Sequence, residues 1–209
     1  MAVPAALLLA ILALGVFAWL AAGVASGESW QLDSSLRAFA YHNSSPTLTI
    51  ALRGISALGT SVVLSVFCVL LVVFFLRKQW PRAAIWLGLA MAGAFTLTYL
   101  LKNFFERPRP LAFYVANPET YSFPSGHAVN AFCFYFVAAG LLGSRLHHRG
   151  ARLALWAFAA VLVALIGWSR VYLGVHYPSD VLAGYAVAAI WVTVLILLDR
   201  ARRRHAREQ

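Results

Sequence analysis

Residues 181–198 have the sequence VLAGYAVAAIWVTVLILL, which contains no charged side chain, and residues 199–207 follow as DRARRRHAR. A helix of about 20 mostly apolar residues spans the hydrocarbon core of a bilayer, where no water is available to bond the backbone. The sequence therefore predicts a transmembrane helix that ends at a basic segment.

The composition of the whole chain also indicates a membrane protein. Hydrophobic residues make up 62% of the 209 residues and charged residues 11%, with a mean hydropathy of +0.76. Soluble domains have about 45–50% apolar and about 25% charged residues. Five further apolar stretches lie at residues 3–24, 61–76, 83–101, 128–143 and 153–168. We therefore expect an all-α fold, a polytopic membrane bundle of about six transmembrane helices.

The first apolar stretch has two interpretations. It could be a cleaved signal peptide, since small residues lie near Ala25. However, no Lys or Arg precedes it, and it is longer than the apolar region of a signal peptide, about 7–15 residues. We expect a retained helix, with cleavage as the alternative.

The segment between the first and second spans is amphipathic. Leu32, Leu36 and Phe39 recur at helical spacing among polar residues, which predicts a short helix in the plane of the membrane interface. Pro46 opens a second apolar stretch that extends to Leu58. This stretch is either a second interfacial helix or an early start of the second span.

The charges predict the orientation in the membrane. The connections after the second and fourth spans, together with the tail, contain eleven basic residues against two acidic ones; the opposite side contains six against five. Positive residues accumulate on the cytoplasmic side, so both termini are expected there. The net charge of +10 then reflects membrane orientation, with the tail resting on anionic headgroups, and no nucleic-acid partner is expected.

The chemistry-bearing residues are concentrated in the two outer connections after the third and fifth spans. One connection contains KNFFERPRP (102–110) and SFPSGH (122–127), and the other contains SRVYLGVHYPSD (169–180). All of these residues lie at helix ends on one membrane face, so they can converge. Polar groups at such positions are costly unless they are paired or functional.

The residue types favour phosphate chemistry. Lys102, Arg109 and Arg170 supply positive charge, and arginine makes forked contacts with phosphate oxygens. Ser125 and Gly126 precede an apolar helix, whose N-terminal amides form an anion site that glycine lets a ligand approach. Ser125 either caps that helix or donates to an oxyanion.

The histidines complete the pattern. If the last helix begins near Pro178, Asp180 lies in its first turn and reaches back to the imidazole of His176. A carboxylate on one ring nitrogen fixes the tautomer and leaves the other nitrogen free as a nucleophile. His127 is then available as the opposing general acid. Together these groups indicate phosphoryl transfer through a phosphohistidine.

Each feature also has a simpler interpretation. Lys102, Arg107 and Arg109 could be snorkelling residues at a helix end, and His176 with Asp180 could form a structural hydrogen bond. Two histidines and a carboxylate could instead bind a metal. Three neighbouring cations would repel a divalent ion and already supply its charge, so no metal is expected.

The three motifs, Lys-x6-Arg-Pro (102–110), Pro-Ser-Gly-His (124–127) and Ser-Arg-x5-His-x3-Asp (169–180), are complete and in order. In these motifs the chain resembles the type 2 phosphatidic acid phosphatase superfamily of membrane lipid phosphatases, over about residues 46–198. The resemblance implies a nucleophile at His176, its partner at Asp180 and an acid at His127. It also implies that no metal or other cofactor is needed. The phosphate-binding groups that it implies are Lys102, Arg109, Ser125, the amide of Gly126, and Arg170. Arg107 is not a fixed motif position and is expected to be a rim charge.

The resemblance implies hydrolysis of a lipid phosphomonoester or diphosphate, such as phosphatidate, phosphatidylglycerol phosphate or undecaprenyl diphosphate. The alternatives are a lipid phosphotransferase that uses the same phosphohistidine, or a non-catalytic lipid-phosphate binder or transporter. We expect a bacterial inner-membrane protein with a periplasmic active site and no evident obligate protein partner. Residues 1–45 would form the first span and outer segment, 46–198 the phosphatase core and 199–209 a basic tail. Tyr114, Tyr121 and Tyr172 could line the substrate entrance.

Overall fold

The computed structural model describes residues 3–28 and 30–208, apart from the side chains of residues 3 and 205–208. This part of the chain contains eight helices. The helices are α1 (Val3–Ala25), α2 (Gln31–His42), α3 (Pro46–Ala57), α4 (Ser61–Arg77), α5 (Pro81–Phe105), α6 (Gly126–Gly143), α7 (Arg149–Tyr172) and α8 (Pro178–Glu208). No strand occurs in these ranges, so the all-α prediction is confirmed.

The apolar stretches correspond to the long helices. Five helices, α1, α5, α6, α7 and α8, are long and apolar enough to cross a membrane. The helices α3 and α4, which are bent by 48° where they join, meet that criterion only together and give a sixth crossing if they form one span. Each of the six expected stretches lies inside one helix, and the expected membrane bundle is confirmed.

The bend between α3 and α4 follows from the way each helix begins. The side chain of Ser45 accepts a hydrogen bond from the amide of Leu48 at 3.2 Å, and Pro46 occupies the first turn of α3. Thr60 caps α4 in the same way. The stretch after Pro46 is therefore a helix of its own, which leads into the second span at an angle.

The helix α6 lies at the centre of the bundle, in contact with α4, α5, α7 and α8. Small residues allow close packing around it and elsewhere: Ala13 of α1 meets Ala186 and Ala189 of α8. On α5, Gly93 accommodates the indole ring of Trp191, since a Cβ atom at Gly93 would lie only 2.2 Å from that ring.

The two ends of the bundle differ in their polar contacts. At one end the start of α5 meets the end of α8, where Arg82 and Asp199 form an ion pair at 2.6 Å. Because α5 to α8 alternate in direction, the end of α5 and the starts of α6 and α8 share the opposite end. All three motifs lie at that opposite end.

The amphipathic helix α2 packs through its polar face. Leu32 and Phe39 of the apolar stripe are 51% and 57% exposed, whereas Asp33 is only 4% exposed. The expected helix is present, and Leu32 and Phe39 remain largely exposed. The buried carboxylate of Asp33 is turned towards the start of α8, where it contacts Ser179.

Candidate active site

Backbone hydrogen bonds hold the motif segments together. The amide of Ser125 donates to the carbonyl oxygen of Asp180 at 2.9 Å, which joins the start of α6 to the start of α8. In the loop between α5 and α6, the amide of Phe113 donates to the carbonyl oxygen of Leu173 at 3.0 Å. Segments that are far apart in sequence therefore form one site.

The imidazole of His176 is buried beside the first turn of α8. Its Nδ1 atom lies 3.2 Å from Oδ2 of Asp180, and the two side chains are 2% and 0% exposed. The same carboxylate oxygen accepts hydrogen bonds from Oγ of Ser122 at 2.5 Å and from the amide of Tyr177 at 2.9 Å. An ionised carboxylate here holds the proton of His176 on Nδ1 and leaves Nε2 with its lone pair.

The charge state of His176 supports the same arrangement. Burial lowers the pKa of His176 to about 3, the hydrogen bond to Asp180 opposes this change, and the charges of Lys102 and Arg109 reinforce it. The imidazole is therefore neutral near pH 7, which is the form that can act as a nucleophile.

The guanidinium group of Arg109 lies directly against His176. Its Nη1 atom is 3.2 Å from Nε2 of His176 and donates to the carbonyl oxygen of Val175 at 2.8 Å. Its other nitrogens donate to the backbone oxygen and the hydroxyl of Thr120 at 2.5 and 2.9 Å. Burial lowers the pKa of Arg109 and Asp180 opposes the effect, but arginine remains protonated.

Lys102 and Arg170 lie near Arg109, and these three cations form what we call the phosphate cradle. Lys102 Nζ donates to the carbonyl oxygens of Tyr121 and Ser122. Arg170 is 8% exposed, and its Nη1 atom donates to Oγ of Ser56 on α3 at 2.6 Å. Lys102 and Arg109 thus contact carbonyl oxygens, which are acceptors of the kind that a phosphate group also provides.

The start of α6 brings Ser125, Gly126 and His127 to the same place. A Cβ atom at Gly126 would lie 2.9 Å from Cγ2 of Thr98 and 3.8 Å from Cε of Lys102, so the position admits no side chain without movement of its neighbours. His127 lies within electrostatic range of His176, Arg170, Arg109 and Lys102. The two histidines of the motifs are therefore both near this group of cations.

Several buried polar atoms at this site have no hydrogen-bond partner in the described part of the chain. They are Oγ of Ser125, Nε2 of His127 and Nε of Arg170. Most buried polar groups in proteins are paired, so unpaired ones require an explanation. All three atoms can donate when His127 is protonated, which suits an anionic ligand with several oxygen acceptors.

The structure corrects the expectation for Arg107. This side chain is 11% exposed and forms ion pairs with Asp180 at 2.6 Å and Asp33 at 3.0 Å, so the expectation of a rim charge is wrong. Two buried carboxylates draw the guanidinium inward. The sequence offers no sign of Ser56 and no role for Ser122, because a single serine carries no signal of a distant partner.

The three tyrosines that could line a substrate entrance, Tyr114, Tyr121 and Tyr172, differ in their exposure. Tyr121 is exposed and Tyr114 partly buried, but Tyr172 is 1% exposed. Its hydroxyl lies 2.9 Å from Oγ1 of Thr49, beneath α3. Tyr172 therefore packs α3 onto α7 and does not line an entrance.

The described residues contain no group of three or more His, Cys, Asp or Glu side chains placed to hold a metal ion. Within the site, the basic side chains outnumber the carboxylates.

Known proteins resemble this chain in sequence and in fold. A model of the PAP2 superfamily matches residues 83–204, more than half of the chain and a range that contains all three motifs. The chain belongs to the PAP2 superfamily. The resemblance noted from the motifs is thereby confirmed, and with it the membership in a family of membrane lipid phosphatases.

Individual PAP2 proteins match over most of the chain. Phosphatidylglycerophosphatase B of Bacillus subtilis is 34% identical over 181 residues, which cover 83% of this chain and 86% of that protein. Undecaprenyl-diphosphatase of Sulfolobus acidocaldarius is 29% identical over 160 residues, covering 74% and 71%. The crystal structure of a transmembrane PAP2-type phosphatidylglycerolphosphate phosphatase from Bacillus subtilis matches with a TM-score of 0.81 at 30% identity. That match covers 92% of this chain and 96% of the other.

Proposed function

We propose that this chain hydrolyses the phosphomonoester or diphosphate of a membrane lipid through a phosphohistidine on His176. The observation that carries the proposal is the set of buried, unpaired atoms on Ser125, His127 and Arg170, beside the His176–Asp180 pair. The names of the relatives above support phosphatidylglycerol phosphate and undecaprenyl diphosphate as candidate substrates, and the resemblance of the motifs adds phosphatidate.

The first chemical step forms the covalent intermediate. The lone pair of Nε2 on His176 attacks phosphorus, and the bond between phosphorus and the leaving oxygen breaks. His127 gives its proton to that oxygen, so the lipid leaves as an alcohol or, from a diphosphate, as a monophosphate. The proton stays on Nδ1 of His176, where Asp180 accepts its hydrogen bond and stabilises the positive charge that develops on the ring.

The second step releases inorganic phosphate. A water molecule attacks the phosphorus and passes a proton to His127, while the bond between phosphorus and Nε2 breaks. Lys102, Arg109, Arg170, Ser125 and the amide of Gly126 stabilise the charge on the phosphoryl oxygens in both steps. In this role the phosphate oxygens replace the carbonyl oxygens that Lys102 and Arg109 now contact.

We place the site on the outer face of a bacterial inner membrane, with both termini in the cytoplasm. The excess of basic residues at the opposite end of the bundle supports this orientation. A headgroup site at the membrane surface lets the apolar chain of the substrate stay in lipid. Chemistry of this kind uses the side chains already present, so we propose that it is independent of metal ions.

Phosphate release from the candidate lipids in detergent micelles tests the proposal. His176→Ala and His127→Ala should each lose at least about 10³-fold in turnover, while His42→Ala, an exposed outer histidine, serves as the matched control. Wild-type activity should survive EDTA and be inhibited by vanadate, which imitates five-coordinate phosphorus. Label that appears in a second lipid would indicate a phosphotransferase, and retained turnover in His176→Ala would contradict the mechanism.

A further inference from the structure

Arg107 connects the catalytic carboxylate to a helix outside the motifs. Its Nη1 atom donates to Oδ1 of Asp180 at 2.6 Å and to Oγ of Ser179 at 2.8 Å. Its Nη2 atom donates to Oδ2 of Asp33 at 3.0 Å. The guanidinium also lies 4.0 Å from the centre of the Tyr177 ring, which fixes its plane.

The two oxygens of Asp180 have separate partners. Oδ2 lies near His176, Ser122 and the amide of Tyr177, whereas Oδ1 accepts from Arg107. The partners of both oxygens restrict rotation of the carboxylate about its last side-chain bond. The contact of Arg107 at Oδ1 therefore adds to the contacts that keep Oδ2 beside the imidazole.

Asp33 holds Arg107 in turn. Its Oδ1 atom accepts from the amide of Ser179 at 2.8 Å, and its Oδ2 atom accepts from Oγ of Ser179 at 2.6 Å. The Asp33 side chain is 5% exposed. A buried carboxylate with three donors has a fixed position, so it fixes the guanidinium that it contacts.

We propose that Arg107 and Asp33 are a positioning pair for catalysis, and that α2 is thereby part of the catalytic apparatus. This inference rests on the proposed phosphohistidine mechanism. Arg107 orients Asp180, and Asp180 orients His176; Asp33 keeps Arg107 in place. Among the described residues, Arg107 donates to Asp33, Ser179 and Asp180, so we expect it to act through Asp180 and not by binding phosphate.

A positioning role and a purely structural role make different kinetic predictions. Arg107→Gln should lower kcat by about 10- to 100-fold, the size of effect known for outer partners of metal-bound histidines. KM and the inhibition constant of vanadate should change by less than about twofold. In an Asp180→Asn background the same substitution should cost less than about twofold, because the group that it orients has lost its role.

Further variants keep the test decisive if Arg107→Gln fails to fold. Arg107→Lys retains the charge but lacks the planar fork whose two terminal nitrogens contact Asp180 and Asp33, and Asp33→Asn retains the shape of the side chain. Both should show a lower kcat at unchanged KM in protein that elutes as a folded species. Arg53→Gln is the matched control, since this outer arginine contacts the carbonyl oxygen of Tyr114 and neither carboxylate.

The outcomes separate this inference from the proposed function. A wild-type kcat in Arg107→Gln, a loss confined to KM, or an equal loss in the Asp180→Asn background would overturn the positioning role. If His176→Ala is inactive while Arg107→Gln is fully active, the positioning role alone fails. If His176→Ala remains active, the phosphohistidine mechanism fails as well.

Discussion

The chemistry of His176 depends on its contact with Asp180 and on its protonation state, and only the contact could be predicted from the sequence. The spacing of His176 and Asp180 predicts contact if a helix begins between them, and α8 does begin at Pro178. The protonation state depends on burial by the loop and on neighbouring cations, which no spacing reveals. Burial lowers the pKa of His176 to about 3, so its imidazole is still neutral near pH 6.5, where a solvated imidazole takes up a proton.

We expect this neutral state to be visible by NMR. In protein with 15N-labelled histidine, the ring signals of His176 should stay those of a neutral imidazole as the pH falls from about 8 to about 5, because a solvated imidazole titrates near pH 6.5. The ring should take up a proton only as the pH approaches about 3. A midpoint near pH 6.5 for His176 would contradict the burial of the nucleophile.

At the scale of helices, α2 and α3 supply residues that act on the site from outside the motifs. Leu32, Leu36 and Phe39 predict α2 because helical periodicity is a local property of the sequence. The contact between Asp33 and Ser179 joins positions 146 residues apart, and nothing near Asp33 indicates it. Ser56 of α3 likewise reaches Arg170 across 114 positions. Such pairings depend on how the helices pack.

Removal of the Ser56 hydroxyl tests the role of α3. Ser56→Ala takes away the hydrogen bond that holds Nη1 of Arg170, and a bond to a charged group contributes about 1.5–3 kcal/mol. We expect KM and the inhibition constant of vanadate to rise by about tenfold or more. Thr47→Ala, on the exposed start of the same helix, is the control. A fall in kcat without a change in vanadate inhibition would show that Ser56 serves another purpose.

At the scale of the molecule, the six apolar elements could be predicted because each apolar stretch lies inside one helix, although α4 reaches the length of a span only together with α3. The bend of 48° between α3 and α4 could not, since the sequence around Leu58 is compatible with a continuous helix as well. The domain boundary at residue 46 remains a prediction. Asp33, which lies before this boundary, contacts Ser179 in the core.

The proposed orientation predicts which loops a membrane-impermeant thiol reagent can reach. We expect Asn117→Cys, in the loop between α5 and α6, to be labelled in intact spheroplasts. Gln79→Cys, in the turn between α4 and α5, should be labelled only after permeabilisation. The native Cys68 and Cys133 lie in membrane spans and provide the background signal. The reverse pattern would place the site on the cytoplasmic face.

Rapid quenching with 32P-labelled lipid phosphate tests whether the phosphoryl group passes through His176. We expect label on the wild-type protein that withstands alkali and is lost in acid, as a phosphoramidate bond requires, and that maps to the peptide containing His176. The label should be absent from His176→Ala and should form more slowly in His127→Ala, because His127 protonates the leaving oxygen in the first step. Rapid turnover without a labelled protein, or label on any other residue, would contradict this account.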